Sequence, residues 1–246
     1  MLSTARTGKV PHFVHLSSCV VYRAPSEPTA VTEDSPLESS IEPWNHYLRQ
    51  KLECEALMGS AGPGLRVSVL RPPTVLGPGD PNLIPLLSAI ARSPLGAVAH
   101  DLNHHLPVIV AEDLAAGVVQ AALQPDADVY NLASARTLTK AELFEAFERA
   151  GARLRPPALS RALALRAVTA TSRMLFRALG SIDAERARAL ERRAVQRLER
   201  HAQRRAQPDL VIDTTRARKK LGFRGERDLA EAIRKIVDFQ PAAGAS

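Results

Sequence analysis

The spacing of apolar and polar positions changes several times along this chain, and each change marks a predicted element. His12-Phe13-Val14-His15-Leu16 predicts a short buried strand ending in the small residues Ser17 and Ser18. Ala24 to Pro43, rich in Pro, Ser, Thr and Glu, predicts a loop. Pro43 suits the first position of a helix running to about Met58, which stops at Gly59-Ser-Ala-Gly-Pro-Gly64. Leu65 to Leu70 predicts a second strand, broken by Arg71-Pro72-Pro73, and Gly77-Pro78-Gly79-Asp80 a turn. Helix is expected over Leu83 to Ala91, with a short apolar run after it from Leu106 to Val110.

Glu112 and Asp113 suit the positive end of a helix reaching about Leu123. Asp128 to Leu132 is a third sheet candidate, and Thr139 with Glu142 forms a capping box that opens a helix to Ala150. This alternation predicts the α/β class, a parallel sheet with helices packed on it. Pro156-Pro157 marks a change of character, with helices expected over Leu159 to Leu179 and Asp183 to Ala206. On the first, Leu165, Val168, Leu175, Phe176 and Leu179 share one side, and Arg166, Arg173 and Arg177 the other. That stripe suits a helix packed on the core, a lid over an apolar substrate or a membrane-surface helix. Leu210 to Ile212 predicts a last short strand. Asp213-Thr214 would cap a small helix ending at Gly222, and Leu229 to Phe239 would form a final amphipathic helix.

Charge refines this picture. The chain has 246 residues and a net charge of +7, from 33 Lys and Arg against 26 Asp and Glu. The excess is local: Gly151 to Gln207 holds 14 Arg, no Lys and 4 acids, leaving the remainder slightly acidic. Such a segment is a solvated helical face or a patch for an anionic ligand or surface. It contains Phe176 as its one aromatic, so specific nucleic-acid binding is not expected. No signal peptide or membrane span is visible, and Cys19 and Cys54 are the two cysteines, so a cytoplasmic protein with reduced thiols is expected.

Tyr47 and Lys51 lie four apart on the helix expected after Pro43, so they share a face. An ammonium beside a phenol favours the phenolate, which is how a tyrosine becomes a general acid and base near neutral pH. Ser18 lies just beyond the C-terminal end of the first strand, on the side where ligands of open α/β sheets bind.

Six motifs in order carry a family resemblance. They are His12 to Tyr22, Tyr47-Leu-Arg-Gln-Lys51 with Glu55, Leu70 to Asp80, Val110 to Ala115, Val129 to Leu132, and Asp213 to Phe223. Together they resemble the extended short-chain dehydrogenase/reductase superfamily, in particular its NAD-dependent epimerase/dehydratase and 3β-hydroxysteroid dehydrogenase-like members. The resemblance implies a partial Rossmann-type parallel sheet flanked by helices, with a mostly helical C-terminal substrate-binding region. The expected organisation is a cofactor-binding and catalytic portion over 1–150, an Arg-rich helical substrate-side region over 151–208, and a return to the core over 209–246. Carried over by position, Ser18, Tyr47 and Lys51 would be catalytic. Ser17, Tyr47, Lys51, Pro72 and Val75 would contact NAD or NADP; no metal is implied. Partners would be a small-molecule substrate and a second copy in a homodimer, with peripheral membrane contact through the Arg-rich helices.

The chain departs from the family pattern at three places. His46 stands where relatives often have proline, and is expected to face solvent. Thr74 stands where sugar-nucleotide epimerases usually have asparagine, which tilts the expectation towards hydroxysteroid or flavonoid-reductase-like relatives. The Gly-x-x-Gly-x-x-Gly turn that binds the pyrophosphate is absent; Gly59, Gly62 and Gly64 follow a helix and precede a strand, the reverse of the required order. The missing part corresponds to on the order of 100 residues, at ~30 per βαβ unit. The expected function is therefore NAD(P)-dependent hydride transfer at a secondary alcohol or ketone of a steroid-like or sugar-nucleotide-like molecule, impaired in this chain. The alternative is a non-catalytic remnant or a basic module for anionic ligands. The first strand is expected to be left with an unpaired edge.

Overall fold

The computed structural model describes residues 2–25, 29–62, 64–80, 105–152 and 210–239. The helices expected over 83–91, 159–179 and 183–206, and with them the Arg-rich segment, lie outside the described residues. In chain order the elements are α1 (Leu2–Thr7), β1 (His12–Leu16), a 3-10 turn (Cys19–Val21), β2 (Ala30–Val31) and α2 (His46–Gly59). Next come β3 (Arg66–Arg71), β4 (Thr74–Leu76), β5 (His105–Leu106), β6 (Val108–Val110), α3 (Ala111–Leu123) and β7 (Val129–Asn131). The last are β8 (Leu138–Thr139), α4 (Lys140–Arg149), β9 (Val211–Ile212), α5 (Thr215–Leu221) and α6 (Leu229–Asp238). Contacts group the chain into two compact units, Met1–Gly79 with His105–Leu138 and Pro208–Ser246, and Asp80–His104 with Thr139–Gln207.

In the first unit, β1, β3 and β7 form a parallel sheet in the order β1-β3-β7. Phe13 lies opposite Val67, and Leu16 opposite Leu70. Hydrogen bonds from Ser17 N–H to Leu70 O (2.8 Å) and from Cys19 N–H to Pro72 O (2.9 Å) carry the β1–β3 contact beyond the strands. Among the described residues β1 has no strand on its other side. Two further parallel pairs, β4 with β6 and β2 with β9, hydrogen-bond separately from this sheet.

Side chains alternate across a strand, so the sheet has two faces. On one, Val14, Leu70 and Tyr130 join Ile109, Leu114, Ala121, Leu132, Ala217, Leu221 and Phe223 in the main core, against α3 and α5. Gly117 permits this packing: a Cβ there would lie 2.8 Å from Leu132 Cδ1. On the other face, Phe13 and Val67 pack with Leu2 and Ala5 of α1 and with Ala61 and Leu65. Helix α1 is too short to persist by propensity, and that apolar cluster supplies its stability.

Local chemistry sets the helix ends. Helix α2 begins at His46 rather than at Pro43, because Asn45 is the cap and its side chain accepts from Leu48 N–H at 3.2 Å. Pro43 instead sits inside a turn closed by Asn45 N–H to Glu42 O (2.9 Å), the second turn position that proline's fixed φ favours. Helix α5 is capped by Asp213, which accepts from Thr215 N–H at 2.6 Å, while Thr214 makes no side-chain cap. It ends at Gly222, in the left-handed conformation at φ 68°. Asp113 at the start of α3 is buried, accepts from Arg227 N–H and pairs with the Arg227 side chain at 3.1 Å. In the second unit, the Thr139–Glu142 capping box opens α4, as its spacing requires.

Candidate active site

The C-terminal ends of β1 and β3 meet one face of α2. Positions 51 and 55 are one helical turn apart, and both reach the sheet. Lys51 Nζ donates to Leu16 O at 2.9 Å, at the end of β1. Ser17 Oγ, just past β1, donates to Glu55 Oε1 at 2.5 Å. Arg71, the last residue of β3, grips Glu55 with two bonds, Nε to Oε1 at 3.0 Å and Nη2 to Oε2 at 2.6 Å. Both side chains are nearly buried, at 6% exposure for Arg71 and 9% for Glu55.

The network continues from Arg71. Its Nη1 donates to Tyr22 Oη at 2.9 Å and to Glu33 O at 3.2 Å, and its guanidinium stacks 4.8 Å from the Tyr22 ring centre. Tyr22 in turn donates to Asn131 Oδ1 at 2.6 Å. Asn131 Nδ2 donates to Val31 O and Asp213 O, and its N–H donates to Glu33 Oε1. Buried polar groups are tolerable only when hydrogen-bonded, and here nearly every donor meets an acceptor. Burial pushes the Tyr22 phenol up, against the opposing Arg71 and Asn131 hydrogen bonds.

Above this buried layer lie the groups that can meet a ligand. The Tyr47 ring is 53% exposed and its centre lies 5.5 Å from Lys51 Nζ. Lys51 has three N–H donors and one is held by Leu16 O, so two remain for a ligand. Ser18, partly exposed, accepts from Val20 N–H at 3.3 Å and caps the 3-10 turn. Ser17 is buried, with its hydroxyl on Glu55. Pro72 is buried and its carbonyl receives Cys19 N–H, while Val75 packs against the main core. His46 faces solvent.

Two further groups border the site. Burial holds the His15 imidazole below its ordinary value, helped by the Lys51 ammonium and opposed by Glu55; its Nε2 is buried without a hydrogen-bond partner. Burial pushes the Cys19 thiol up to about 12. The convergence of Tyr22, Glu33, Arg71 and Asn131 is invisible in the sequence, where they lie in separate segments. Glu55 is marked there by its place four residues after Lys51. Among the described residues there is no group of three or more His, Cys, Asp or Glu able to hold a metal ion. No described helix is long and apolar enough to cross a membrane.

Residues 1–133 match the family model for the NAD dependent epimerase/dehydratase family. No curated protein matches the chain significantly. Among solved structures, the chain is similar to the UDP-glucuronic acid 4-epimerase of Bacillus cereus in complex with NAD, at 15% identity and a TM-score of 0.63, covering 97% of this chain and 64% of that one. It is similar to the UDP-glucose 4-epimerase of Thermotoga maritima with UDP-glucose, at 16% identity and a TM-score of 0.64, covering 97% and 66%. A third, the UDP-glucose 4-epimerase of Bifidobacterium longum in complex with NAD+ and UDP, matches at 19% identity and a TM-score of 0.62, covering 97% and 66%. At these identities the likeness is one of fold. The chain spans slightly less than two thirds of the length of these structures.

Proposed function

Because the chain belongs to the NAD-dependent epimerase/dehydratase family, we propose that it carries the catalytic face of an NAD(P)-dependent oxidoreductase or epimerase acting on a secondary alcohol or ketone of a small molecule. The observation that carries this reading is the Tyr47–Lys51 pair, exposed on α2 beside the C-terminal ends of β1 and β3.

The donor set suits the nicotinamide-ribose end of the cofactor. Lys51 would hold the ribose hydroxyls through its two remaining donors, and the chain around Pro72 and Val75 would line the ring. When bound, the nicotinamide supplies or accepts the hydride. Tyr47 moves the proton at the substrate oxygen, giving it when a ketone is reduced and taking it when an alcohol is oxidised. Lys51 Nζ, 5.5 Å from the Tyr47 ring centre, would stand beside the phenol during that transfer. Ser18 would hold the substrate oxygen opposite Tyr47, exchanging its weak contact with Val20 N–H for the ligand. The buried Glu55–Arg71 pair fixes α2 on the sheet, so that Tyr47 and Ser18 keep their spacing.

The pyrophosphate end has no such provision. The sequence given holds no Gly-x-x-Gly-x-x-Gly run, and among the described residues no glycine-rich turn leads from a strand into a helix to offer backbone donors to a dinucleotide. Weak dinucleotide binding by this chain on its own is part of the proposal. The test is titration with NADH and NADPH followed by nicotinamide fluorescence, with turnover of UDP-glucose and of a hydroxysteroid as the second readout. Lys51→Met should weaken cofactor binding several-fold, and Tyr47→Phe should leave binding intact and abolish turnover. Unchanged affinity in Lys51→Met together with unchanged turnover in Tyr47→Phe would remove both assignments.

A further inference from the structure

The backbone of β1 has one side turned to β3 and one side open. Arg66 N–H donates to Pro11 O at 3.4 Å and Ser17 N–H to Leu70 O at 2.8 Å, so the odd positions of β1 turn their peptide groups towards β3. In a parallel ladder the alternate residues turn theirs the other way. His12, Val14 and Leu16 therefore present N–H and C=O groups away from β3, on a side where no strand lies among the described residues. Leu16 O is engaged there by Lys51 Nζ. An open edge of this kind is a template for another strand.

Helix α3 carries an apolar flank over the same edge. It lies across β1 and β3, whereas α5 lies on β7. Gly117 and Asp113 face the α5 side, the first against Leu132 and Phe223 and the second against Arg227. Ala115, Val119 and Ala122 fall on the opposite flank of the helix and so point past β1. All three are exposed, Val119 at 57%, and Leu123 beside them at 78%. A solvated helix face ordinarily carries charge, yet Leu114 to Pro125 holds none. The helix runs antiparallel to β3, because Pro125, just past its end, receives the Arg66 side chain from the start of that strand. Val119 lies ~9 Å back along α3 from Pro125 and Val14 ~7 Å along β1 from His12, the residue opposite Arg66, so the two stand level.

We propose that this edge and this flank form one self-complementary surface on which a second copy of the chain seats. About a two-fold axis normal to the sheet beside Val14, β1 pairs antiparallel with the β1 of the second copy. Val14 meets Val14 and exchanges both bonds, and His12 meets Leu16 on either side, so each outward donor finds an acceptor. Leu16 O keeps a second lone pair beside Lys51 for this purpose. The same axis brings the two α3 flanks together, Val119 against Val119. Strands lie ~4.8 Å apart and α3 sits over β1 and β3, so the two α3 axes come about 10 Å apart, the spacing at which helices pack. Ala115 and Ala122 leave room for that approach, and an uncharged flank fits a copy of itself better than it fits a charged partner. The contact is small, about 600 Å² per copy or less, at the low end for specific dimers, so association in the micromolar range is expected. Pairing uses up both edges and stops at two copies.

Sedimentation velocity of the full chain from about 1 to about 200 µM tests the pairing, and a monomer–dimer equilibrium with no larger species is expected. Hydrogen exchange resolved by amide should show Val14 and Leu16 gaining protection as concentration rises, while His15, whose peptide group faces β3, stays unchanged. Val119→Lys sets two ammonium groups face to face across the axis and should weaken the dimer roughly tenfold or more, as should Val119→Glu with two carboxylates. Mixing the two variants should restore the dimer, since each pair then joins opposite charges, and misfolding of either variant could not produce that result. A monomer throughout the range, growth beyond two copies, a dimer indifferent to Val119→Lys, no recovery on mixing, or protection of Val14 that does not depend on concentration overturns the proposal.

Discussion

Replacing Glu55 by alanine strips the buried Arg71 guanidinium of the carboxylate that grips it through two hydrogen bonds of 2.6 and 3.0 Å. Arginine cannot shed its charge to escape the deficit. With Arg71 only 6% exposed, water cannot replace the carboxylate without local opening. Breaking a buried pair by removing one partner destabilises by about 3–5 kcal/mol. Set against a total stability of about 5–15 kcal/mol, that is a large fraction. With an m-value of about 2–3 kcal/mol/M, the urea midpoint should fall by roughly 1–2 M.

Glu55→Gln keeps an acceptor for Ser17 Oγ and loses the charge, so it should fall between wild type and Glu55→Ala. The double variant Glu55→Leu with Arg71→Met removes both charges and should recover much of the loss, since apolar residues of similar volume often replace a buried pair at little cost. The assay is urea unfolding by circular dichroism of wild type, Glu55→Ala, Glu55→Gln, Glu55→Leu, Arg71→Met and the double variant. A loss below about 1 kcal/mol in Glu55→Ala, the value of a solvated surface pair, would refute the buried character of the pair. A double variant as unstable as the sum of the single ones would refute the coupling.

Two further predictions depend on protonation. The folded His15 imidazole is held below its ordinary value by burial, so the folded state favours the neutral ring. Its stabilising share is then full above pH ~6.5, the unfolded value, and is lost as pH falls below it. The stability difference between wild type and His15→Gln should therefore shift against wild type between pH 7 and pH 5; a constant difference would contradict the burial. The Cys19 thiol, pushed up to about 12, should resist alkylation at pH 8 in the folded protein and react in urea. Peptide mass spectrometry after brief iodoacetamide treatment reads this, and rapid native modification of Cys19 would show it exposed.

Much of the sheet is legible in the sequence because its residues obey short-range rules. Phe13, His15 and Ser17 alternate with Val14 and Leu16, and the structure sends the first set towards α1 and α2 and Val14 into the main core. Thr139 with Glu142, and Gly222, mark helix ends through capping chemistry that acts within a few residues. Strand β4 escapes such rules because Pro72-Pro73 has the local signature of a break. Its three residues are ordered by β6, more than thirty positions later. Helix α1 escapes them for a related reason, since its stability comes from Ala61 and Leu65. The start of α2 is displaced from its expected place because Pro43 suits a turn as well as a first helical position, and Asn45 decides between them.

In the candidate site, the Tyr47–Lys51–Glu55 spacing announces one helical face. The partners of Glu55 obey no spacing rule. Arg71 lies 16 positions from Glu55 and 49 from Tyr22, and Tyr22 lies 109 from Asn131. Only the sheet topology brings them together, because it places the ends of β1, β3 and β7 side by side.

The small β2–β9 pair has a consequence for how the chain reaches this state. His12 and Ser68, which tie β1 to β3, are 56 positions apart, whereas Asp34 and Arg216, beside β2 and β9, are 182 apart. Loop-closure entropy grows with that separation and must be met before the contact repays it. Two-residue strands have little to repay with on their own, so β2 and β9 should close only after the larger sheet has drawn Asn131, which bonds both Val31 and Asp213, into place. In pulsed hydrogen exchange during refolding, the Asp213 amide, bonded to Val31 O, should gain protection after that of Val69. Simultaneous protection would mean that the chain closes this long loop as early as the shorter one between β1 and β3.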